Sequence, residues 1–106
     1  MLKIVSIDHI EPYQISCSFN NGFKKLLDVK PLLLNHKHLH GIDLLWDHKI
    51  FLTASIGDFG EVLWKNIISP NQPVSNEALW DYDISPEFFF FQGEDLNRSF
   101  GDGLDY

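Results

Sequence analysis

The sequence predicts an α+β domain: an antiparallel sheet built from two β-hairpins, packed by one or two short helices. Three observations carry this expectation. Residues 13–20 alternate apolar and polar side chains up to Asn21-Gly22, the strongest short-range hairpin signal there is. A second pair of apolar segments, 50–56 and 61–67, flanks the turn GDFG. Near the other end, Ser85-Pro86-Glu87 has the order of cap, first helical residue and first-turn acid that opens a helix.

Taken along the chain, residues 2–10, LKIVSIDHI, are rich in β-branched side chains and stop at Glu11-Pro12, a strand with a defined end. In the next segment Tyr13, Ile15, Cys17 and Phe19 fall on one face, and Gln14, Ser16, Ser18 and Asn20 on the other. Asn21-Gly22 supplies the positive φ angles of a tight turn, and FKKLLDVK (23–30) returns as the partner strand, ended by Pro31. Leucines 32–34 and Leu39 fit a short helix terminated by Gly41, and Ile42–Trp46 a second helical turn or an apolar anchor. In 50–56, Ile50, Leu52, Ala54 and Ile56 share one face of a further strand, and GDFG turns it into EVLWKNI (61–67). SPNQPVSN (69–76) is a polar loop with two prolines, after which Ser75 or Asn76 can cap a helical turn through SNEALW. Ser85 caps the last helix, in which Pro86 and Glu87 suit the first turn. From Gly93 the chain carries four acids, one arginine and three glycines, the composition of a tail and not of a core element. The expected organisation is therefore one α+β domain over 1–92 and an acidic C-terminal tail over 93–106.

With 106 residues and 44% apolar side chains, the chain can build one core without disulfide or metal staples. The formal net charge is −7, with eight Lys and Arg residues. Such a surface repels phosphate backbones, so no direct nucleic-acid binding is expected, and a basic protein partner fits better. Cys17 is the one cysteine, which excludes an intramolecular disulfide; its place in an alternating strand marks it as a small buried hydrophobe. No apolar run approaches the roughly 20 residues that span a bilayer, and MLKIVSIDHIEP is too short and polar for a secretory signal. The expectation is a cytoplasmic protein with no membrane contact.

Read in order, YQISCSFNNGFKKLLDVKPLL, LLWDHKIF, GEVLW and DISPEFF resemble the bacterial domain-of-unknown-function family 2442. That family shows F-x-D/N-G, a V/L-D-V/L strand running into a proline and leucines, L-x-D-x-x-x-F, a strand ending in Trp, and D-[IL]-x-P-E. Here these correspond to Phe19–Gly22, Leu27–Pro31, Leu45–Phe51, Leu63-Trp64 and Asp83–Glu87, so the resemblance covers about residues 2–90. Two departures stand out: KNIISPNQPVSNEALWDY intervenes where the family passes quickly from Trp to D-x-x-P-E, and the acidic tail after Phe91 has no counterpart. The resemblance implies a small α+β domain with an antiparallel sheet and supplies no catalytic mechanism. Some members resemble components of small toxin–antitoxin operons or carry an attached DNA-binding domain, which implies a regulatory or binding role.

The residues able to carry chemistry are few. Were 36–40 a strand, His36, His38 and His40 would share one side and could converge on a metal. In a helix His36 and His40 share a face while His38 points elsewhere, and zinc would need Asp43, Asp47 or His48 as a further ligand. The spacing enforces neither arrangement and H-E-x-x-H is absent. A solvated loop is expected, with metal binding at these histidines as the alternative function and no cofactor otherwise. Asp81, Asp83 and Glu87 could serve as acid and base or hold a divalent cation, but they lie where helix capping favours acids in any case. The phosphate-loop, dinucleotide and serine-hydrolase motifs are absent, and GDGLDY lacks the regular oxygen ligands of a calcium loop.

The run Phe88-Phe89-Phe90-Phe91 is more telling. Four consecutive phenylalanines cannot all face one core, so one or two must point outward unless the tail, with Phe100 and Tyr106, folds back over them. The expected function is a non-enzymatic protein-binding or regulatory module, antitoxin-like in its most concrete form. It would bind a basic protein, or itself, through Trp80, Phe88, Phe89, Phe90 and Phe91.

Overall fold

The structure, a computed structural model, describes residues 1–69 and 79–96. Period-two alternation governs its first half. Strands β1 (Ile4–Glu11), β2 (Gln14–Phe19) and β3 (Lys24–Asp28) form an antiparallel meander, and β2 buries Ile15, Cys17 and Phe19 while its serines face away. Strand β1 loses register with β2 at two places; such bulges twist an edge strand away from new pairing partners. A short strand after the helix Pro86–Gln92, β7 (Glu94–Asp95), pairs with Lys25 and Leu26 and completes a four-stranded sheet in the order β1-β2-β3-β7. Glu94 and Asp95, read from composition as the start of a tail, are thus sheet residues.

The β2–β3 turn needs less than two positive φ angles. Gly22 alone takes one (φ 89°), and Asn21 instead accepts a hydrogen bond from the Phe23 amide on its side chain (3.1 Å). Phe19 N–H donates to Phe23 C=O (2.8 Å) and Gly22 N–H to Phe19 C=O (3.0 Å), the pattern of a three-residue loop closed by a glycine bulge. The second hairpin repeats it: Gly57 N–H donates to Glu61 C=O (2.8 Å), Gly60 N–H to Gly57 C=O (3.0 Å), and Gly60 has φ 78°. FNNGF and GDFGE are one turn in two sequences. Gly60 has a second duty, since Ile4 N–H donates to its carbonyl (3.0 Å) and a Cβ there would lie 2.5 Å from the Lys3 Cβ. The two hairpins meet at this point.

The second sheet is β4 (Ser55–Ile56), β5 (Val62–Ile68) and β6 (Trp80–Ile84), all antiparallel. Most of the strand expected over 50–56 is absent. Asp47 accepts hydrogen bonds from the amides of Lys49 (2.8 Å) and Ile50 (3.3 Å), and this N-cap winds His48–Phe51 into a helical turn, α2. Only Ser55 and Ile56 extend. Between Trp64 and Ile68, β5 bulges at Asn66 (φ 58°), whose amide is taken by the Asp81 carboxylate (3.0 Å), and the extra residue lets both Ile67 and Ile68 face inward.

Helix α1 (Lys30–Asn35) carries Pro31 in its first turn and buries Leu32 and Leu33. It stops at Asn35, before Gly41, because residues 36–38 form a turn; Gly41 (φ 102°) instead opens a 3₁₀ turn over Ile42–Trp46. Helix α3 (Pro86–Gln92) starts as expected, with the Ser85 hydroxyl accepting from the Phe88 amide (3.1 Å). The expected cap at Ser75 or Asn76 lies outside the described residues, and Trp80 begins a strand. The fold is α+β, with one core in which Trp64, Phe51, Phe89 and Leu45 are fully enclosed. Among the described residues no helix is long and apolar enough to cross a membrane.

Candidate functional site

Helix α3 sends its four phenylalanines in four directions, because successive helical residues turn by about 100°. Phe89 points into the core, fully buried and edge-on to Phe19 (5.8 Å). Its ring, one of those expected at an interface, is already covered within the folded chain, against Phe19 of β2. Phe90 lies half-buried over the first hairpin, edge-on to Phe19 (5.2 Å) and Phe23 (5.6 Å). The Lys25 Nζ sits 4.3 Å from the Phe90 ring centroid, so the head of this nearly buried side chain is set over an aromatic face. Phe91 rests edge-on against Phe90 (5.3 Å) and is 75% exposed. Together with the half-exposed Phe23, it makes an aromatic patch on the outer side of the helix. Trp80 is a separate exposed aromatic, 61% accessible at the start of β6.

Phe88, 39% exposed, faces the other flank. Here α3 and β6 stand opposite α1 and leave a groove formed by two adjoining cavities of about 260 and 320 Å³, which share Leu32, Asn35 and Phe88. Asp28 and Gln92 close one end; His36, Tyr82 and Asp83 line the other. His36 Nδ1 is hydrogen-bonded to the Tyr82 hydroxyl (2.6 Å). Burial, and then the neighbouring Asp83 charge, push the Tyr82 phenol up to about 12, so it stays protonated at any physiological pH.

The histidines therefore do not act as a set. His36 turns inward to Tyr82, His38 lies edge-on to it at 6.1 Å, and His40 is exposed, its carbonyl accepting from the Ser69 amide (2.8 Å). Residues 36–40 are neither of the regular elements that would have aligned them. Among the described residues no three His, Cys, Asp or Glu side chains are grouped to hold a metal ion. The acidic trio also has separate roles. Asp81 holds the β5 bulge, Glu87 lies in the first turn of α3, and Asp83 stands on the open face of β6. Burial pushes the Cys17 thiol up to about 12, which leaves no thiolate for chemistry. Sequence reasoning missed Phe23, Asn35 and Tyr82; the first stands beside the turn glycine, and the other two acquire significance only through elements far away in the chain.

Asp83 is held above the ordinary carboxyl value of 3.8 by partial burial and by the charges of Glu61 and Asp81. The folded chain thus binds this proton more readily than the unfolded one, and stability falls as pH rises from the ordinary value through the raised one. Asp83→Asn should raise the urea midpoint at about pH 7, and the gain should vanish at about pH 3, where the carboxyl is protonated in both states. A lower midpoint at neutral pH would show instead that Asp83 is paired.

No family model, curated protein or solved structure matches this chain. The fold and the site define a small α+β domain in which α3 separates an exposed aromatic patch from an apolar groove.

Proposed function

We propose that the chain is a non-enzymatic binding module of regulatory or antitoxin-like type, acting in the cytoplasm on a basic protein partner. One observation carries the reading: Phe91 is 75% exposed on top of an ordered aromatic cluster. A ring resting edge-on against Phe90, which is itself packed on Phe23, has less entropy to lose on binding than a free one, and full burial of a phenylalanine contributes about 1.5–3 kcal/mol. The net charge of −7 supports a cationic partner by steering encounter. A non-enzymatic role is supported by the employment of the candidate catalytic groups elsewhere: His36 on Tyr82, Asp81 on the Asn66 amide, Cys17 in the core. The family resemblance adds that its motifs fall on structural duties, the Phe19–Gly22 turn, the Asp47 cap, the Trp64 core position and the Ser85 cap.

The test is affinity capture from the native lysate with the wild-type chain and with Phe91→Ala and Trp80→Ala, each checked for unchanged circular dichroism. A specific basic protein should be retained by the wild type and at least about tenfold less by Phe91→Ala. Equal retention by all three chains, or none by any, removes the proposal.

A further inference from the structure

The groove on the Phe88 flank of α3 has its own chemistry. Its floor is apolar, from Leu32, Ile84 and Phe88, and the charged residues along it are both carboxylates, Asp28 at one end and Asp83 at the other. Among the described residues, no lysine or arginine lines it. The nearest in sequence, Lys30, directs its Nζ toward the Tyr13 ring (5.9 Å), and Lys25 is engaged beneath Phe90. Asp28 uses one oxygen to accept from the Lys30 amide (3.1 Å), and its other oxygen has no partner among the described residues. Asp83 has Glu61 and Asp81 as charged neighbours, so a cation brought to it relieves repulsion as well as gaining attraction. The polar groups between these ends, the Asn35 amide and the His36 ring, can hydrogen-bond to a peptide backbone.

From this arrangement we infer that the groove between α1 and α3 binds a short basic segment of a protein, seating one apolar side chain on Leu32 and Phe88 and cationic side chains against Asp28 and Asp83. The inference rests on the reading of the chain as a protein-binding module and adds a second contact, distinct from the Phe91 patch. The groove follows α1, whose six residues span about 9 Å. That length accommodates about three residues of extended chain. Electrostatics set which segments enter, and the apolar floor holds them there.

The probe is a capped five-residue peptide with leucine between two pairs of lysines, titrated into the full chain at low salt and followed by amide chemical shifts. The largest shifts should fall at Leu32, Asn35 and Phe88. Asp28→Asn combined with Asp83→Asn should weaken binding at least about fivefold; asparagine retains the side-chain acceptor that caps Lys30. A serine-centred counterpart should bind more weakly, and a glutamate counterpart should leave the shifts unmoved. The inference is overturned if the double variant keeps its affinity, if the shifts fall outside the groove, or if the lysine peptide does not bind. The two surfaces separate cleanly: loss of partner capture by Phe91→Ala beside an unaffected double variant leaves the aromatic patch standing and removes the groove. The opposite pattern removes the patch and keeps the groove.

Discussion

Trp64→Ala is expected to destabilise the chain by about 3–5 kcal/mol, a large share of the roughly 5–15 kcal/mol that separates a typical domain from its unfolded state. Three contacts converge on this indole. It is fully buried, it lies against Phe51 (5.4 Å) and Tyr82 (6.0 Å), and its Nε1–H donates to the Phe51 carbonyl (2.8 Å). The last bond satisfies a carbonyl at the end of α2, a helix of four residues too short to survive without tertiary support. Trp64 therefore ties β5 to α2 and to β6 at once. Trp64→Phe separates packing from hydrogen bonding: most of the volume remains, but the Phe51 carbonyl keeps only the longer bond from the Ala54 amide (3.4 Å), at a cost of about 0.5–1.5 kcal/mol. Urea unfolding followed by far-ultraviolet circular dichroism measures both, since the substitutions remove a fluorophore. A loss below about 1 kcal/mol for Trp64→Ala would mean that the indole is not the centre of this core.

The parts of this fold that are legible in the sequence are those set by neighbours in the chain. The alternation of Ile15, Cys17 and Phe19 needs only the pleat of one strand, and the start of α3 only Ser85, Pro86 and Glu87. Residues 50–56 show how a local signal misleads. Ile50, Leu52, Ala54 and Ile56 alternate as a strand does, yet the carboxylate of Asp47, three residues before Ile50, captures two amides and starts a helix first. The helical segment is too short to display a 3.6-residue period, so the cap was its one available signature. Asn66 is similar: asparagine tolerates the left-handed conformation, but the bulge it forms depends on Asp81 of the next strand. The candidate site is less legible still. His36 meets Tyr82 across 46 residues, and the groove needs α1 and α3 side by side. A helical run of four phenylalanines must spread its rings around the axis, but which one becomes core depends on where β2 lies.

Phe89 and Phe91 turn that last point into the second large effect. They are the same residue two positions apart on one helix, so propensity and backbone are matched and only the surroundings differ. Phe89→Ala removes a fully buried ring packed on Phe19 and should cost about 3–5 kcal/mol. Phe91→Ala removes a ring that is mostly in water and should change stability by no more than about 0.5 kcal/mol, with the better helix propensity of alanine offsetting the lost contact to Phe90. Paired urea curves with unchanged slope give both numbers. Binding should divide the other way: Phe91→Ala loses the partner with its fold intact, whereas Phe89→Ala loses it only in proportion to the chain that has unfolded. A cost for Phe91→Ala close to that of Phe89→Ala would show that the outer ring is covered in the folded chain, and the aromatic patch would then be a second layer of core and not a surface for a partner.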